Sequence, residues 1–216
     1  MQGISITGVL RICKINFNLA IGSNLCLAAV YLSIIPLLRG IENLDMVHAA
    51  ECLEESVILL GIFLLVPLNL PEEEKAIQEV VYIRKIAHWK ILLLRLTMAM
   101  LLLGVMICLF SGIMLWKKCS FPFIAYVAGT LISAMALGVW GLSVSIWSNS
   151  TIVGYLASVG YYILNILGNI SEKSLFYLFS MGKGNYMTKT YLFEWSILLI
   201  AVSLFYIDKK ETAVCL

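Results

Sequence analysis

Six apolar runs separated by short polar stretches dominate this chain, and within each run the apolar residues follow one another instead of alternating. They occupy about residues 15–38, 54–70, 90–116, 121–147, 151–170 and 191–207. A helix needs roughly 20 apolar residues to cross about 30 Å of hydrocarbon. In that medium only helices and closed barrels satisfy their own backbone groups, and uninterrupted runs lack the alternation of a barrel strand. The pattern predicts an all-α integral membrane protein with six transmembrane helices, forming a single transmembrane domain over residues 1–216. The second run is short, so its helix is expected to begin within the preceding acidic stretch, with the glutamates reaching outward.

Composition strengthens this picture. The chain is 61% hydrophobic and 13% charged, where a soluble domain carries about 25% charged residues; its mean hydropathy is +0.95. Both termini are expected on the cytoplasmic side of a cell membrane, because nine of the 15 lysines and arginines then fall inside. Lys117 and Lys118 fall on the opposite side, and the charge rule does not account for them. The net charge of +2 is spread over several loops, which excludes the single basic face of a nucleic-acid binder. The six cysteines form no CxxC pair and read as small buried hydrophobes; only Cys52 and Cys119 are placed to share the outer face.

Several polar residues invite a chemical reading. His48, Glu51, Cys52 and Glu55 share one face of a helix and include three kinds of metal ligand, the pattern of a membrane metallopeptidase. HExxH is absent, and the plain alternative is an acidic, solvated helix end, so no metal site is assigned. Glu194, with Asn165 and Asn169, is the candidate polar group of a translocation path, since ionisable residues inside a membrane default to function; an equal alternative places Glu194 in the headgroups. Arg95, a turn inside the third run, is expected to anchor that helix in the headgroups. In the fourth run Ala125, Gly129 and Ser133 recur at spacing four, with Ala134 and Gly138 beside them. Such patterns let helices approach closely, either within one chain or across a dimer.

The densest charge lies between the second and third runs. Pro71 suits a first helical position, Glu72, Glu73 and Glu74 complement the positive end of the helix dipole, and Arg84 and Lys85 complement the other end. Ile77, Val80 and Val81 form an apolar stripe. The reading is an amphipathic helix over about 71–88, parallel to the membrane on its cytoplasmic side.

The series Glu74-Lys75-Ala76-Ile77-Gln78-Glu79-Val80-Val81, followed by Trp89-Lys90-Ile91 and Arg95, resembles the same connection in permease subunits of the second class of ATP-binding-cassette exporters. The family's usual glycine is Ala76 here, and its usual proline falls at Lys85. The resemblance implies a coupling helix seated on an ATPase subunit, with Glu74, Lys75, Glu79, Arg84 and Lys85 in contact. It also implies a second permease chain, the same or related, and a bacterial cell membrane.

GxxxxGK[ST] is absent, so this chain is expected to bind no cofactor and to hydrolyse nothing itself; ATP and Mg would be held by the partner. The cargo implied is a bacteriocin-like peptide, a drug or a lipid. The alternative is a non-transporting membrane protein, either a bacteriocin immunity factor or the metallopeptidase.

Overall fold

A computed structural model describes residues 22–72, 88–168, 170 and 174–214, and the structural statements below concern those residues. Their regular secondary structure is entirely helical, with no strand among them. Helix α1 spans Gly22–Arg39 and ends where Gly40 takes a left-handed conformation, its N–H bonding the Pro36 carbonyl at 3.1 Å. The second pass begins as α2, Met46–Glu51, inside the acidic stretch. It widens to a π turn over Cys52–Ser56 and tightens to a 3-10 turn over Val57–Leu59. It resumes as α3, Leu60–Leu65, and ends in a 3-10 segment, Val66–Glu72, where Pro67 and Pro71 cannot donate to the α ladder.

Four longer helices follow: α4, His88–Trp116; α5, Phe123–Ser148; α6, Thr151–Ile166; and α7, Met187–Val214. Within them Trp89–Trp116, Phe123–Ser148 and Met187–Lys210 are long and apolar enough to cross a membrane, which fits an all-α membrane protein. Helix α6 stops short of the expected run, while α7 continues past it through Lys209 and Lys210. The residues of the expected amphipathic helix from 73 to 87 lie outside the described residues.

Successive passes run antiparallel, which gives the bundle two ends. At the first, the loops after α1 and α4 are laced together: Asn43 N–H bonds the Lys117 carbonyl at 3.1 Å, and Ser120 N–H bonds the Leu44 carbonyl at 3.2 Å. Lys117 pairs with Glu42 at 2.5 Å, and that ammonium holds the Glu42 carboxyl below the usual carboxylate range. Lys117 is thus part of a loop-to-loop clasp, which the charge rule could not reveal. At the second end, α5 turns into α6 through Asn149, left-handed at φ 52°, whose side chain accepts a bond from Lys210 at 2.6 Å.

Helix α5 is the axis of the packing. Its small residues meet neighbours inside the same chain: Gly138 lies against the Gly61 carbonyl, Gly141 against the Gly154 carbonyl, and Gly129 beneath the Met181 sulfur. Val66 fills the space beside both Gly141 and Gly154. The surrounding core is dry and aliphatic, with Leu53, Ile58, Leu60, Leu65, Leu103 and Ile107 fully buried.

Arg95 departs from its expected role. It is only 5% exposed, and its guanidinium donates to the Leu68 carbonyl at 3.2 Å. Beside it, Asn69 donates to Ser145 Oγ of α5 at 3.2 Å. Within the 3-10 ending the Leu68 carbonyl thus receives its donor from Arg95, while Asn69 ties the segment to α5.

These contacts predict opposite signs for two glycine substitutions. Gly61→Ala sets a methyl group against the Ala134 backbone and should lower stability by about 1–3 kcal/mol. Gly112→Ala, in open space on α4, should be neutral or stabilising by up to about 1 kcal/mol. Equilibrium unfolding in mixed micelles measures both.

Candidate functional site

Between α6 and α7 the chain leaves helical geometry while still packed among helices. In the stretch from Ser174 to the 3-10 turn Met181–Lys183, backbone groups need partners that a helix would have supplied. Asn165, near the end of α6, offers its Oδ1 to Leu178 N–H at 2.9 Å and donates to the Tyr161 carbonyl at 2.9 Å. Ser133 of α5 donates to the Leu178 carbonyl at 3.2 Å. Met181 N–H bonds both carboxylate oxygens of Glu54, each at 3.0 Å.

Lys189, in the first turn of α7, completes this arrangement. Its three ammonium protons meet three acceptors: Glu54 Oε1, Ser133 Oγ and the Leu178 carbonyl, each at 2.5 Å. Glu54 and Lys189 are 2% and 3% exposed. Two charges taken from water regain their solvation only through close pairing and full hydrogen bonding, and both conditions are met.

Glu54 does not reach outward because of the π turn. The extra residue in Cys52–Ser56 rotates Glu54 into the bundle, while Glu55 goes to Arg39, with which it pairs, and its carbonyl accepts from Tyr162. Single π turns inside helices are frequent at functional sites.

Two cavities flank the irregular segment. One, of about 380 Å³, is acidic: Glu51, Glu54 and Glu55 line it with Asn165 and Lys183. The other, of about 310 Å³, is aromatic, walled by Trp140, Tyr161, Phe176 and Trp195. Tyr177 and Phe179 face the first and Phe176 the second, so the segment is the partition between them. Phe176 packs edge-on against Trp195 at 5.3 Å, and its carbonyl accepts a bond from Tyr161 at 2.7 Å.

The residues singled out from sequence are distributed as follows. Asn165 is buried and occupied with Leu178, whereas Glu194 is exposed in a separate groove on α7, so the two do not converge. Asn169 lies outside the described residues, as do Glu74, Lys75, Glu79, Arg84 and Lys85. The metal pattern of His48, Glu51, Cys52 and Glu55 is dispersed by the π turn. Cys52 is buried, and among the described residues no group of three potential ligands could hold a metal ion. Cys52 and Cys119 carry free thiols, the latter donating to the Ile41 carbonyl at 3.2 Å.

Sequence reasoning missed Glu54 and Lys189 as partners. The available signal was a lysine at the head of an apolar helix and a glutamate inside another: in a bundle of this composition each needs an opposite charge.

In comparisons with known proteins, no family model, curated protein or solved structure matches this chain.

The site yields a double-mutant test. Glu54→Gln or Lys189→Met alone should cost about 3–5 kcal/mol by stranding a buried charge, and the double substitution should cost less than the two summed. Additive losses in micelle unfolding would show that the groups do not interact.

Proposed function

We propose that this chain is the permease subunit of an ATP-binding-cassette exporter of the second class, with six spans, both termini in the cytoplasm and a coupling helix over about 71–88. It works as a dimer with itself or a related chain, on two ATPase subunits that bind ATP and Mg. The cargo class is a bacteriocin-like peptide, a drug or a lipid, passed between the membrane halves as the ATPases cycle.

One observation carries most of the physical support. Both roots of the connection at 73–87 are fastened to the bundle and to each other: Arg95 of α4 holds the Leu68 carbonyl, and Asn69 holds Ser145 of α5. A push on that connection is therefore delivered to the second pass, α4 and α5 together. A packed unit of this kind converts a partner's motion into a tilt of helices, as a two-state transporter requires. The acidic–basic series Glu74-Lys75 through Glu79 and the three long apolar helices agree with the reading.

Co-purification tests it. With a candidate ATPase expressed alongside, Glu79→Arg should reduce ATPase recovery in a detergent pull-down at least about tenfold while membrane insertion is unchanged. Full recovery in that variant argues against the coupling assignment.

A further inference from the structure

Phe176 and Trp195, which wall the aromatic cavity, also wall a neighbouring groove of about 210 Å³ between the partition segment and α7. Tyr191 and Glu194 belong to this groove. Among the described residues, Glu194 is the only side chain with a formal charge in either lining. It lies seven residues into α7, about 10 Å from the helix start at 1.5 Å per residue, within the Met187–Lys210 stretch that is apolar enough to cross a membrane.

Among the described residues Glu194 has no ion-pair partner. Lys189, on the turn before it, is consumed by Glu54, Ser133 and Leu178, and Lys183 lines the acidic cavity on the other side of the partition. A carboxylate in apolar surroundings without a counter-charge is unfavourable. Ring faces attract cations as well, and Phe176, Tyr191 and Trp195 line the groove with this one acid. A cation relieves both conditions only if it brings apolar surface of its own, because the rest of the lining offers a hydrated ion little.

We propose that this groove binds a lipophilic organic cation, with the charge beside Glu194 and the apolar body among Trp140, Tyr161, Phe176 and Trp195. The aromatic cavity alone, at about 310 Å³, falls at the lower end of small-molecule sites, several hundred Å³ lined mainly by apolar and aromatic groups with few polar ones. The assignment narrows the cargo class of the transport reading. Its role in export rests on that reading, but its binding does not.

Equilibrium dialysis of the full chain in neutral detergent, with tetraphenylphosphonium as probe and triphenylphosphine oxide as a neutral counterpart, tests the site without any ATPase. The expected result is saturable binding of the cation, weakened at least about tenfold by Glu194→Gln and by Trp195→Leu, and retained by Glu194→Asp. Glu51→Gln, in the acidic cavity, should leave it unchanged. The neutral compound should show no dependence on residue 194. Because Glu194 is exposed and makes no ion pair among the described residues, its substitution should not lower the unfolding midpoint, which separates lost binding from lost structure. Non-saturable uptake, equal binding to Glu194→Gln, or a loss confined to Glu51→Gln each overturns the proposal. The Glu79→Arg pull-down is blind to this assay, so either reading can fail while the other stands.

Discussion

A backbone that leaves helical geometry among closely packed helices must be given hydrogen-bond partners by side chains, and the rest of this structure depends on how that need is met. The Leu178–Met181 stretch is sustained by one asparagine, one serine and one ion pair drawn from four separate passes. Remove any of them and a peptide group loses its partner where water cannot replace it, at a cost comparable to a lost hydrogen bond or more. The pair is thereby more than two charges in contact. It sets where the second pass, α5 and α7 meet, because Lys189 can reach its three acceptors from one position only. The same pair explains the π turn, since a regular helix would carry Glu54 past the segment it supports.

The opposite end of the bundle solves a related problem with different chemistry. There Pro67 and Pro71 forfeit donors, the Leu68 carbonyl is met by Arg95, and Asn69 ties the segment to Ser145 of α5. An arginine that would otherwise reach for lipid headgroups is drawn inward because backbone acceptors are closer than water. Each end of the bundle thus has polar side chains acting on irregular backbone, while the middle is held mainly by apolar side chains and close glycine contacts.

Much of the helical layout is legible in the sequence, because length and apolarity are local properties. The all-helical class and the long helices around 90–116 and 121–147 follow from uninterrupted runs. The extent of α7 does not, since Lys209 and Lys210 read as a polar tail although lysine is a sound helix former. Less was legible of the site. Glu54 and Lys189 are 135 residues apart, and nothing in either neighbourhood announces the other. Glu51, Glu54 and Glu55 look equivalent on a regular helical wheel; only the π turn, imposed by packing, assigns one to the core and one to Arg39. The small residues of α5 were visible, but whether they served this chain or a second copy was decided by Gly61, Gly154 and Met181, all distant in sequence.

The glycine contacts along α5 also limit which movements are open to the molecule. Where backbone touches backbone without intervening side chains, neighbouring helices cannot slide by a residue, because the next position along the helix presents a Cβ that the gap will not admit. The second pass, α5 and α6 therefore resist sliding past one another at these contacts. Sliding between neighbouring helices is thus least hindered away from these glycines.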